Sequence, residues 1–165
     1  MVPMLIKTGV AALELARGKT LRLIEDIPES ELCRPAWEGG NHTLWVLGHL
    51  AWTDDYFMQT VGKRPTCLPD GWADRFGMGS TPVATPADYP APAEVRDRLG
   101  SSRAALIDWF QNMDASQAET ALPEALADFA PHFAGLASTL AWHEGLHAGQ
   151  LTVIRRHLGL GPTTG

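Results

Sequence analysis

The residues best placed to do chemistry are two histidines four apart, in His143-Glu144-Gly145-Leu146-His147. Helical positions with that spacing lie about 40° apart around the axis and about 6 Å apart along it, so both imidazoles can turn toward one ion. A pair is half of a metal site, and the other half must come from a different element. Leu47-Gly48-His49-Leu50 offers a third histidine in a second strongly helical pattern. Nitrogen ligands suit Zn, Ni or Fe(II) better than Mg or Ca. Three protein ligands also leave positions open, as a catalytic site requires and a closed structural site does not. A thiol or a water at an open position loses its proton more readily.

The same five residues read H-E-x-x-H, the helical motif of zinc metalloproteases, in which the glutamate is the general base. The rest of the chain does not supply that context. No Asp or Glu follows His147, and the extended pattern would need Gly at 150 and His at 153, where the chain has Gln150 and Val153. His157 lies about 15 Å along the helix from His147, too far to share its ion. Glu144 points about 100° away from His143, as a surface residue or a carboxylate behind the ligands. Gln150, one turn past His147 on the same face, is a candidate to orient a ligand or a bound water. Asp54 and Asp55 are further candidate supporting carboxylates, Trp45, Trp52 and Tyr56 are candidate pocket walls, and His42, His132 and His157 fall outside the site.

The elements that must position these groups are helices. From Met4 to about Ile27, Leu5, Ala12, Leu15, Ala16, Leu23 and Ile27 recur at helical spacings. Pro28, Pro35 and Gly39-Gly40 then mark a connection, with Trp37 expected over one end of a core. Asn41-His42-Thr43 offers caps for a second helix to about Val61. Its Trp45, His49, Trp52 and Tyr56 share one stripe, Leu44, Leu47, Ala51 and Met58 a second, and Thr53, Asp54 and Gln59 are left for solvent. Residues 62–91 are rich in Gly and Pro and form a crossover in which Trp72, Phe76, Met78 and Tyr89 can pack. Pro92 suits the first turn of a third long helix carrying Val95, Leu99, Ser102, Leu106, Trp109 and Met113. After a broken stretch around Leu122-Pro123, a fourth runs from between Pro131 and Gly135 to near Gly159, with Leu136, Leu140, His143, His147, Gln150 and Ile154 on one face. The expectation is an all-α, up-down four-helix bundle with a long crossover between its second and third long helices.

Composition sets the bounds. At 165 residues, 45% of them hydrophobic, the chain is expected to be a single domain over residues 1–165. A net charge of −6 disfavours nucleic acid as a partner, and no apolar run reaches the length of a membrane span. The apolar start has no basic region before it, which argues against a signal peptide. Cys33 and Cys67 form no C-x-x-C motif, so free thiols in a reducing cytoplasm are expected.

Two segments together resemble the DinB/YfiT superfamily. One is Asn41-His42-Thr43-Leu44-Trp45-Val46-Leu47-Gly48-His49-Leu50-Ala51; the other is His143-Glu144-Gly145-Leu146-His147-Ala148-Gly149-Gln150-Leu151, followed by Ile154-Arg155-Arg156. The resemblance covers nearly the whole chain. It implies a four-helix bundle, often a homodimer, with a divalent metal on His49, His143 and His147. Some members are thiol S-transferases that use a low-molecular-weight thiol such as bacillithiol or mycothiol, and another branch comprises mycothiol-dependent maleylpyruvate isomerases. The activity expected on that basis is transfer of a thiol to a small electrophilic substrate, with metal-dependent hydrolysis or metal binding without turnover as alternatives.

Overall fold

The computed structural model describes residues 2–163. Its helices are α1 (Met4–Ile24), α2 (Thr43–Thr60), α3 (Trp72–Phe76), α4 (Pro92–Gln111), α5 (Ala115–Ala118) and α6 (Phe133–His157), of which α3 and α5 are short. Among the described residues, β structure is limited to one bridge between Ala121 and His132. Among the described residues, no helix is long and apolar enough to cross a membrane.

Local chemistry sets the helix starts. His42 caps α2 by accepting the Trp45 amide at Nδ1 (3.1 Å), and His132 caps α6 by accepting the Gly135 amide in the same way (3.1 Å). The sequence offers His42 among the cap candidates of α2 and gives no such role to His132; both stand apart from the histidine cluster. Pro92 opens α4, where its missing N–H removes no helix hydrogen bond.

The long helices pair chiefly as α1 with α6 and α2 with α4. Gly9 lies against Ala137, Arg17 against Glu144 and Leu23 against Arg155, so α1 and α6 run in the same direction. Arg17 reaches the Leu99 carbonyl while Arg103 reaches that of Leu13, so α1 and α4 are antiparallel. Trp45 meets His147 and His49 meets His143, so α2 and α6 are antiparallel as well. The four-helix bundle with its long connection is thus as predicted. The structure adds that the crossover returns the chain along the bundle, making α2 and α4 parallel.

Two apolar clusters fill the interior. One gathers Ile6, Val10, Leu13, Phe57, Leu106, Phe110 and Leu136, and the other Ile24, Leu44, Leu47, Leu50, Val95, Leu99, Leu151 and Ile154. Along every long helix the residues between the two clusters include buried polar groups, Arg17, Asp54, Arg103, Glu144, His49 and His147, with His143 half-buried beside them.

Several sequence expectations are corrected by this packing. The inward face of α1 is Ile6, Val10, Leu13, Arg17, Thr20 and Ile24, while Leu5 and Leu15 are exposed. A buried Arg and Thr interrupt that stripe, so its apolar periodicity reads more weakly than that of the outer face. Thr53 and Asp54 are buried, because α2 is enclosed on nearly all sides. Trp37 is 52% exposed and folds back over Gly40 instead of covering a core. In the crossover, Trp72 and Phe76 are buried and Tyr89 partly so, but Met78 is 82% exposed.

Candidate metal centre

His49 of α2 and His143 and His147 of α6 come together midway along the bundle, each offering a ring nitrogen within 4.8 Å of the others. The ring centroids are 5.4 Å apart for His49 and His143, 4.8 Å for His49 and His147, and 4.7 Å for His143 and His147. His143 Nε2 and His147 Nε2 are 3.3 Å apart.

Two rings have their protons assigned by their neighbours. His49 Nδ1 faces the Phe76 carbonyl at 2.8 Å, and an oxygen can only accept, so Nδ1 carries the proton and Nε2 the lone pair. His147 Nδ1 faces Gln150 Oε1 at 2.9 Å, which also accepts from Asn41 Nδ2 at 3.1 Å. His147 Nε2 is therefore a lone pair too, directed at His143. Without a cation, a proton on His143 Nε2 satisfies that contact; a cation would satisfy all three rings together. Buried nitrogen acceptors converging on one point are the donor set of a divalent metal site, and the residues present fit such an ion.

Electrostatics agree with this. Burial lowers the pKa of each ring to about 4, aided by His147 for His49, by His49 for His143 and by His143 for His147. All three are neutral at physiological pH, the state in which imidazole binds a metal.

The crossover takes part in positioning the site. A Cβ on Gly48 would stand 2.2 Å from the Phe76 ring, so only glycine lets α3 come close enough for the Phe76 carbonyl to reach His49. Trp72 Nε1 fastens α3 by donating to the Gly48 carbonyl at 3.1 Å. Trp45 stacks on His49 at 4.7 Å with an interplanar angle of 9°, and Trp52 continues the stack on the other side.

Glu144 sits elsewhere. It is 0% exposed and accepts from Arg17 Nε at 2.7 Å and from Arg103 Nη2 at 2.6 Å. Asp54, 1% exposed, accepts from the same two arginines: Arg103 Nε at 2.7 Å, Arg103 Nη2 at 3.0 Å and Arg17 Nη2 at 3.2 Å. Each of the four long helices thus contributes one member of a closed ionic layer beside the histidines. The sequence alone places Asp54 and Glu144 at the surface or behind the ligands, and it singles out neither Arg17 nor Arg103. The available signal was a charge on an apolar stripe: Arg17 follows Leu13 by four, and Arg103 follows Leu99 by four. Asp55 does not support the histidines either. It accepts from Gln59, Thr66 and Cys67 and anchors the start of the crossover. His157 ends α6 and is exposed, away from the site.

No curated protein matches the chain. Among solved structures, YfiT from Bacillus subtilis shares the fold, with a TM-score of 0.62 and 16% identity over 94% of this chain and 89% of that one. That protein is described as a probable metal-dependent hydrolase with an unusual four-helix bundle topology. The sequence model of the DinB superfamily matches residues 12–151, a span that takes in the three histidines, Gln150 and the whole ionic layer, and the chain belongs to that superfamily.

Proposed function

We propose that this chain is a divalent-metal-dependent enzyme that transfers a low-molecular-weight thiol to a small electrophile. The observation that carries the reading is the convergence of three neutral imidazoles, two of which, His49 and His147, are oriented by hydrogen bonds to groups outside the cluster. A divalent cation bound there supplies Lewis acidity, lowering the pKa of a thiol or water that it contacts. His49, His143 and His147 would hold the ion, with Phe76 orienting the His49 ring and Gln150, braced by Asn41, orienting the His147 ring. The aromatic rings of Trp45 and Trp52 shield the site from bulk water.

Glu144 cannot serve as a general base, since both of its oxygens are held by arginines. The cleft that opens beside His49 and His143 contains no carboxyl group to protonate a poor leaving group. Displacement of a stable anion such as halide by a thiolate makes no such demand, since the carbon–sulfur bond forms as the carbon–halide bond breaks and the thiol proton passes to solvent, which favours transfer. Hydrolysis is the second reading, supported by the description of YfiT, and would suit substrates whose leaving group departs without a proton. Thiol chemistry fits a reducing compartment, in keeping with the unbridged Cys33 and Cys67, and we place the protein in the cytoplasm as a homodimer.

The test is turnover by the metal-loaded protein of an aromatic electrophile and of a phenyl ester, each with and without cysteine, glutathione, bacillithiol or mycothiol. Product that requires metal and thiol together supports transfer. Ester cleavage in water alone would favour hydrolysis. Tight metal binding with no turnover of either substrate would reduce the protein to a binding module.

A further inference from the structure

A cleft of about 440 Å³ opens at the edge of the metal centre, with His49 and His143 at its inner end. Its volume lies within the range of small-molecule sites. Its walls are aromatic: Trp52, Tyr56 and Phe57 from α2, Phe129 from the turn before α6, and Trp142 from α6. The rings form a connected surface, with Trp52 stacked on Tyr56 at 5.2 Å and Phe57 meeting Phe129 edge-on at 5.4 Å. Thr139 fastens the Phe129 turn to α6 by donating to the Phe129 carbonyl at 2.6 Å.

The chemistry of this lining is selective. It includes no Asp, Glu, Lys or Arg. The Thr53 and Thr139 hydroxyls already donate to backbone carbonyls, leaving the Tyr56 phenol as the cleft's one remaining hydroxyl. A charged ligand would lose its hydration against these walls and gain no ionic partner from their side chains. A flat apolar ligand would gain stacking surface from rings that water now covers, including Trp142, which is 63% exposed.

We propose that this cleft binds a neutral, ring-bearing small molecule and holds its edge toward His49 and His143. The inference deepens the metal-dependent reading, on which it rests for the chemistry that acts on the bound molecule. It assigns the uncharged ring compound, as the electrophile, to the cleft, and the thiol, a charged molecule, to an approach from outside it.

The experiment compares two fluorescent probes with the same ring frame, neutral N-phenylnaphthylamine and sulfonated anilinonaphthalenesulfonate, titrated into the full chain with and without metal. The neutral probe should bind at one site, and the sulfonated probe about tenfold more weakly or worse. Trp142→Ala and Phe129→Ala should each weaken the neutral probe by about fivefold, with helicity by circular dichroism unchanged. Met78→Lys, which puts a cation on the exposed rim, should narrow the gap between the probes. Equal binding of the two probes, or neutral binding indifferent to both Trp142→Ala and Phe129→Ala, would overturn the proposal. Metal content measured on the same samples separates the two ideas. Probe selectivity in a protein that takes up no metal supports the cleft and removes the metal reading, whereas metal uptake without selectivity overturns the cleft alone.

Discussion

His143 and Glu144 are adjacent in sequence yet end in opposite kinds of surroundings. Glu144 enters a layer in which two carboxylates and two guanidiniums use one another's hydrogen-bonding capacity, with the Leu13 and Leu99 carbonyls taking further donors. For Arg103, burial opposes the charge, and Asp54 and Glu144 outweigh it. His143 enters a cluster in which the lone pairs of His49 Nε2 and His147 Nε2 converge and a proton on His143 can meet only the contact with His147. The ionic layer is complete without a ligand, and the histidine cluster is not. A buried polar group that is fully partnered belongs to the fold; one whose lone pairs converge on a point points to something the fold binds.

Breaking the ionic layer should have the largest effect on stability. Glu144→Ala leaves two guanidiniums facing an uncompensated space and is expected to destabilise the apoprotein by about 3–5 kcal/mol in urea or guanidinium unfolding. If Glu144→Ala unfolds like the wild type, the layer is not structural and the contrast with the histidines fails.

Next in size are the groups that orient the rings. Gln150→Ala and Asn41→Ala should each weaken metal affinity by about 10- to 100-fold with little change in helix content, as read by competition with a chelating dye. Gly48→Ala should act in the same direction by pushing α3 and the Phe76 carbonyl away from His49. Affinity unchanged in all three would mean that the rings are held by packing alone.

pH should then separate the two constellations. In the unfolded chain the histidines titrate near 6.5, whereas in the folded apoprotein burial holds them at about 4. The unfolded state therefore binds more protons across that window. The contribution of the histidines to stability is full above about 6.5 and is lost as pH falls toward about 4. Unfolding of the apoprotein at stepped pH should show that slope, and a variant lacking all three histidines should show a flatter one. Metal should be retained well below pH 6.5, since the folded rings resist protonation until pH nears 4.

The smallest expected effect is the converse of the first. His143→Ala should change apoprotein stability by no more than about 1 kcal/mol, because it removes a partly exposed ring and one weak contact. A loss as large as that for Glu144→Ala would make His143 a structural residue.

Legibility in the sequence divides along the same line. The histidines are legible because the four-residue spacing of His143 and His147 and the aromatic stripe through His49 are local signals that helical geometry turns into directions. The four long helices are legible for the same reason. The ionic layer is assembled one residue per helix, so no local spacing announces it, and Arg17 and Arg103 look like ordinary helical charges until their stripes are known. The same hidden arginine obscured the inward face of α1. The positioning role of α3 rests on one close approach, Phe76 onto Gly48, and a glycine inside a helix does not reveal which partner requires it.

The central claim is that the three histidines bind a metal, and elemental analysis tests it most directly. The purified chain is offered Zn, Ni, Fe(II) and Mn near neutral pH, dialysed and measured beside His49→Ala, His143→Ala and His147→Ala, with circular dichroism confirming that each variant is helical. The expected result is about one divalent ion per wild-type chain and none retained by the folded variants. A wild type that retains none of the four metals, or folded variants that retain as much as the wild type, would contradict the claim.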